Sequence, residues 1–357
     1  MLIVSFFSSL GLFFILSALI QVSHAEELEV KETVIVYNWE DYIPEKVLKD
    51  FTEETGIEVN YHTYNNNEIM YTTLDLQNGR GFDVIVPSTY LVDKMANEGL
   101  LQPINKEKLA NFKHLDVSLL NKSFDQNNTY SVPYMWGSTA IGINTEKIKP
   151  EDVTSWHDLW HKHWRNQLFL IDDMLEIFYI ALALDNVSLA QANEDDIQRA
   201  YQRLVKLIPN VKKVSADEPA APFLSGDIDI GLIWNGDIVA AQEEKPSLMY
   251  IYPKEGVSFW MDNFVIPARA HNIDNAYTFI DYMLRPEVAI QCVEEYAYAT
   301  ANQTAKSQLD EAFRNNPAIF PPAEIIAKGD FQSGIGKKHE LYQLYWDKLK
   351  LLRAQAN

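Results

Sequence analysis

The chain has 357 residues, which at roughly 150 residues per domain suggests two domains. Hydrophobic residues make up 47% and charged residues 22%, a balance that excludes a disordered tail protein, a collagen-like chain and a small disulfide scaffold. Asp and Glu total 50 against 30 Lys and Arg, and the net charge of -20 repels phosphate backbones, arguing against nucleic acid as a partner.

Residues 1–25 contain no Lys, Arg, Asp or Glu. Leu10 to Ile20 has the character of a signal h-region, and Ser23-His24-Ala25 puts small residues at the −3 and −1 positions of a cleavage site. A signal peptide over 1–25 is therefore expected, with an uncleaved anchor as the alternative because the usual basic n-region is missing. Cys292 is the only cysteine, so no intrachain disulfide or cysteine-based metal cluster can form. Export, one cysteine and an acidic balance together point to a bacterial periplasm.

From Thr33 the chain reads as alternating strands and helices. Thr33–Trp39 is β-branched and aromatic, a strand. Pro44 opens a helix at its first position and Gly56 closes it, with Val47, Leu48, Phe51 and Thr55 on one face. Ile57–Tyr64 is a second strand and Glu68–Leu76 a second helix. Phe82–Val86 is short and apolar, as for a strand buried on both faces of a parallel sheet. Ile197, Ala200, Tyr201, Leu204 and Ile208 form an amphipathic stripe. Ile228–Trp234 and Phe264–Pro267 read as strands, Ala276–Leu284 and Glu340–Leu352 as helices. Strand and helix at this spacing predict βαβ units in two α/β lobes joined by more than one crossing.

Catalytic motifs are missing: the sequence has no G-x-S-x-G, H-E-x-x-H, P-loop or G-x-G-x-x-G after a strand. Asp173 and Glu176 could serve a glycosidase as acid and base, but such a pair also marks an ordinary solvated helix start. His157 and His161, inside Trp156–Trp164, are spaced i,i+4 on an expected helix capped by Ser155. The interleaved Trp residues favour a packed face with exposed imidazoles over a metal site.

Acids and aromatics gather near expected strand ends: Trp39-Glu40-Asp41-Tyr42, Ser88-Thr89-Tyr90, Asp173 with Glu176, Trp234, and Trp260-Met261-Asp262. Ligands of open α/β sheets bind at the carboxyl ends of strands. Rings beside carboxylates suit a flexible organic cation, the rings taking methylenes and ammonium groups, the carboxylates accepting charge-assisted hydrogen bonds.

Tyr37–Val59, Phe82–Met95, Tyr130–Asn144, Val153–Trp160, Ile171–Phe178, Gly231–Asp237, Pro253–Ala268 and Gly329–Gly336 span nearly the whole chain in order. In these segments the sequence closely resembles the bacterial periplasmic spermidine/putrescine-binding proteins, the substrate receptors of polyamine ABC transporters. The resemblance implies an α/β, two-lobed type II periplasmic-binding-protein fold with an interlobe ligand cleft. It implies one lobe over 26–137 plus about 262–303 and another over about 138–261 plus 304–357. Trp39, Glu40, Asp41, Tyr42, Ser88 and Tyr90 would face Asp173, Glu176 and Trp234 across the cleft, with Trp260 and Asp262 near the crossing and Gln332 adding a polar contact. The acids at 173, 176 and 262 would pair with amino nitrogens while rings sandwich the methylenes.

The implied ligand is spermidine, and also putrescine; the implied partner is an inner-membrane permease, with no cofactor, metal or catalytic residue. A putrescine-preferring receptor or a polyamine-sensing module is the alternative reading. Glu40-Asp41 departs from the Thr-Glu of spermidine-preferring relatives, Asp at the second position being the putrescine type. Ala216 replaces a Ser that makes a minor contact. Tyr90 and Trp260-Met261-Asp262 follow the spermidine type, and spermidine is the expected preference.

Overall fold

The computed structural model describes residues 32–332 and 334–356; the expected signal peptide lies outside them. Strand β1 (Thr33–Trp39) runs parallel to β2 (Glu58–Tyr64), from Thr33 opposite Glu58 to Trp39 opposite Tyr64, and to β3 (Val84–Ile85). Parallel neighbours need a crossover, supplied by α1 (Glu45–Thr55) and α2 (Asn67–Leu76). Val47 and Phe51 form the buried face of α1. Pro44 stands at the cap rather than one residue inside the helix, and Gly56 ends it at φ 75°, its N–H donating to Thr52 O. β3 is shorter than the expected Phe82–Val86. Asp83 turns its carboxylate onto the N–H groups of Ile35, His271 and Asn272, and Phe82 stacks on Tyr37 instead of joining the ladder.

The centre of the molecule is β4 (Ser131–Asn144), buried along its whole length, paired antiparallel with β9 (Ser258–Val265) from Ser131 opposite Val265 to Thr139 opposite Ser258. The register slips between Pro133 and Met135, where proline offers no N–H to the ladder. Beyond Thr139, β4 exchanges β9 for β8 (Leu248–Ile251) on one edge and pairs β7 (Ile230–Trp234) on the other. Only Phe264–Pro267 reads as strand from sequence. Trp260 and Asp262 therefore sit inside β9, not ahead of a strand, and residues two apart in a strand share one face.

The second half repeats the first in plan. β5 (Leu168–Ile171) lies parallel to β7 and to β6 (Val211–Ser215). Helices α3 (Thr89–Asn97), α4 (Met174–Ala183), α5 (Glu194–Leu207), the single turn α6 (Ala221–Leu224) and α7 (Asn235–Glu244) complete the units, with α8 (Ile273–Met283) and α9 (Pro286–Tyr296) after β9. Asn193 and Asp196 cap α5 reciprocally, and its buried stripe is Ile197, Ala200, Leu204 and Leu207. The C-terminal helix (His339–Ala356) packs on α4 and α5, its Tyr342 meeting Phe178 at 5.1 Å between ring centroids. β10 (Ala299–Thr300) pairs β4 and β11 (Asp330–Phe331) pairs β9, giving the order β2-β1-β3-β9-β4-β7-β5-β6. The expected helix around His157 consists instead of two 3₁₀ turns, Trp156–Trp160 and Lys162–Trp164, the first carrying the capping box of Ser155 and Asp158. Among the described residues, no helix is long and apolar enough to cross a membrane.

Candidate ligand-binding site

A cleft of about 300 Å³ opens where the carboxyl ends of β1, β5 and β7 face β9. That is at the lower end of the roughly 300–1,000 Å³ typical of small-molecule sites. Trp39, Glu40, Asp41, Tyr42, Ser88, Asp173, Glu176, Trp234, Trp260, Asp262 and Gln332 all line it. Tyr90 does not. It is buried behind the wall, where its hydroxyl donates to Glu68 Oε1 at 3.0 Å. The reason is local: Ser88 caps α3, so Ser88 faces the cleft while Tyr90, two residues into the helix, turns toward α2.

β9 supplies Asp262 from the same strand face as Trp260. Ser88 forms an antiparallel bridge with Asp262, so its Oγ reaches Oδ1 at 2.6 Å, while the Tyr42 hydroxyl donates to Oδ2 at 2.7 Å. The Asn67 amide orients Ser88 in turn, at 3.1 Å. Burial pushes Asp262 up to about 7, with those two hydroxyls opposing the rise and Asp173 adding to it.

Asp173 caps α4, its Oδ1 accepting the Glu176 N–H at 3.0 Å. Burial raises it to about 6 against the backbone N–H groups of Glu176 and Leu175. Glu176, in the first turn, is raised further by burial and by Asp173. Gln332 donates to Glu176 Oε1 at 2.6 Å. The Thr139 and Ser258 hydroxyls approach and partly offset the burial, yet Glu176 Oε2 is buried with no hydrogen-bond partner among the described residues.

The indoles are set from the backbone. Trp39 Nε1 donates to Val86 O at 3.0 Å, and its ring meets that of Trp234 edge-on at 6.4 Å. Trp260 packs edge-on against Tyr298 at 5.2 Å, and its buried Nε1 has no partner among the described residues. Gly137 makes room for it: a Cβ there would stand 2.4 Å from the Trp260 ring and 2.3 Å from Asn235 Oδ1.

Sequence reasoning missed Asp237 and Tyr298, which also line the cleft. The Tyr298 hydroxyl donates to Asp237 Oδ2 at 2.6 Å, and burial raises Asp237 to about 6, with Asp41 adding to the shift. Asp237 lies in the first turn of the helix after β7, as Glu176 does after β5, so the rule that found Glu176 was available for it. Tyr298 left no such signal. The acids bear on one another: Asp173 raises both Glu176 and Asp262, Asp262 and Asp237 raise Tyr298, and Asp41 raises Asp237. Glu218, Glu244 and Glu295 line the cleft as well, and every charged residue on its walls, among the described residues, is acidic.

Two α/β lobes sharing one central strand pair, with a small-molecule cleft between them, define a two-lobed solute receptor of the type II periplasmic-binding fold. The chain belongs to the bacterial extracellular solute-binding protein family, whose model matches residues 46–321. It is 43% identical over 328 residues to a spermidine/putrescine-binding periplasmic protein of Salmonella typhimurium, covering 92% of this chain and 93% of the relative. A putrescine-binding periplasmic protein of Escherichia coli is 32% identical over 330 residues, 87% of this chain and 89% of that one. The structure of a spermidine/putrescine ABC transporter substrate-binding protein of Streptococcus pneumoniae superposes with a TM-score of 0.76 at 34% identity, covering 90% of this chain and 99% of that one. The family consists of binding proteins, so the enzymatic reading of Asp173 and Glu176 is withdrawn; Asp173 serves as a helix cap.

Proposed function

We propose that the protein is a periplasmic receptor that binds spermidine, and also putrescine, and delivers them to an inner-membrane ABC permease. The observation that carries this reading is the cleft's charge: among the described residues, acids of both walls with no Lys, Arg or His, and a buried carboxylate oxygen on Glu176 with no partner. Such a site excludes anions and demands several ammonium groups. Spermidine is about a trication at neutral pH, because its amines titrate near the lysine value of about 10.4. Asp173 and Glu176 take one terminal ammonium, Asp262 an inner nitrogen, and Asp237 with Asp41 the other end. Trp39, Trp234 and Trp260 flank the methylenes and add cation–π attraction. The third acidic position, at Asp237, supports spermidine over the shorter diamine.

The lobes are taken as 26–137 plus about 262–303, and about 138–261 plus 304–357. In support, the first boundary falls where β4 exchanges β10, paired with it at Met135 and Trp136, for β7, which joins it from Thr139. Hydrogen bonds that then bridge the lobes include Thr89 Oγ1 to Gln332 O and Asn65 Nδ2 to Asp217 Oδ1, both at 2.5 Å, and the Tyr298 hydroxyl to Asp237 Oδ2 at 2.6 Å. Closure without a cation confines repelling, desolvated carboxylates, so the ligand's charges tip the equilibrium toward the closed form, the form presented to the permease. The test is a thermal-shift panel of putrescine, cadaverine, spermidine and spermine. Spermidine should give the largest stabilisation, and no response to any linear amine would refute the assignment. Co-purification of an ABC permease, as opposed to a signalling membrane protein, tests delivery against sensing.

A further inference from the structure

A second cluster of ligating side chains lies at the amino ends of β5 and β6, opposite the ends that feed Asp173 into the cleft. The segment Trp156–Trp164 is fixed by its own indoles. Trp156 Nε1 donates to Gly256 O at 2.8 Å, Trp160 Nε1 to Arg203 O at 2.9 Å and Trp164 Nε1 to Asp158 O at 3.0 Å. From below, the Asn210 amide donates to Leu159 O and His161 O at 2.9 and 3.0 Å. The turns between these anchors are 3₁₀, not α, and this brings in a third ligand that the i,i+4 spacing of the two histidines does not reveal. Asp158 spends Oδ2 on the Thr154 and Ser155 N–H groups, while its Oδ1 stands 3.7 Å from His161 Nε2.

One ligand atom each from His157, Asp158 and His161 lies within 4.8 Å of the other two; both imidazoles are exposed and Asp158 is half-buried. Tetrahedral Zn²⁺ with bonds of 2.0–2.2 Å holds its ligand atoms about 3.4 Å apart. Small rotamer changes of two exposed rings close that gap, with the backbone already held. His163 stacks on His161 at 5.4 Å and 15°, which limits how far that ring swings away.

We infer that His157, Asp158 and His161 form a surface site for a divalent first-row transition-metal cation. Two imidazoles and one carboxylate are borderline donors that suit Zn²⁺ and leave a fourth position for water. Mg²⁺ and Ca²⁺ prefer oxygen donors and are poorly matched. No residue of this site lines the cleft.

The experiment is a calorimetric titration of Zn²⁺ into the full ligand-free chain, wild type against H157A/H161A and E176Q. Wild type should bind one Zn²⁺ in the micromolar range. The double histidine variant should bind it at least tenfold more weakly, while its metal-free melting temperature stays at the wild-type value because both rings are exposed. E176Q, altered only in the cleft, should bind Zn²⁺ with wild-type affinity, and equimolar Mg²⁺ should not compete. No stoichiometric binding by wild type, binding unaltered in H157A/H161A, or loss in E176Q (which would move the metal to the cleft) would each overturn the proposal.

Discussion

Asp262 and Glu176 are both buried carboxylates of one cavity, but the protein treats them differently. On the wall built from β1, α3 and β9, both oxygens of Asp262 already receive hydroxyl protons, from Ser88 and Tyr42. On the wall built from α4 and β11, Glu176 receives one amide on Oε1 and, among the described residues, nothing on Oε2. An unmade hydrogen bond to a buried charge is costly, whereas a satisfied one contributes modestly. The first carboxylate is therefore satisfied and orients the ligand. The second is incomplete until a cation arrives, so the dependence of closure on ligand is concentrated at Glu176.

Glu176→Gln sharpens this contrast most. It should weaken spermidine about a hundredfold in calorimetry, near the roughly 3 kcal/mol upper value for a hydrogen bond to a charged group. The same substitution removes a buried acid whose ionisation the empty cleft opposes, so the ligand-free variant should melt above wild type at pH 8. A loss of both affinity and stability would mean that Glu176 is satisfied within the protein. Asp262→Asn should weaken spermidine by at least tenfold, but less than Glu176→Gln. The reverse order would break the comparison.

Acidity gives the next effect. Burial raises Asp262 to about 7 and Asp173 and Asp237 to about 6, all above the ordinary Asp value of about 3.9 in an unfolded chain. Between those values the folded, ligand-free protein holds more protons than the unfolded chain, so its stability declines as pH rises from about 4 to 7. A bound cation favours the carboxylates and expels those protons. Spermidine affinity should accordingly drop about tenfold from pH 8 to 5.5, and the ligand-induced rise in melting temperature should be larger at pH 8. Constant affinity across that range would show that the acids are ionised before ligand arrives. The smallest effect is expected from Tyr298→Phe, which frees Asp237 of its donor. A two- to threefold change in spermidine affinity, with putrescine less affected, would support Asp237 as the outer anchor.

Much of this was legible in the residues. Trp39 and Trp234 end strands as read, and Asp173 with Glu176 opens the helix after β5, because β-branched runs and capping residues are local signals. The β4–β9 pair was not legible. Gly137, Gly142 and Pro133 break the strand pattern of β4, and its continuous burial comes from neighbours far along the chain. Hence Trp260 and Asp262 were read near a strand instead of within one. Tyr90 failed for a related reason: a helix cap reverses direction within two residues, and proximity in sequence to Ser88 does not keep a side chain on the same wall. Tyr298 reaches the cleft only through β10, two residues long, for which no periodicity exists.

The central claim is that a row of partly protonated, buried acids becomes fully ionised around a linear polycation. Titrating spermidine at pH 6.5 in two buffers of different ionisation enthalpy counts the protons that leave. The account predicts one ligand per chain with net proton release, diminished in Asp262→Asn. Binding with no proton release, or no binding at all, would contradict it.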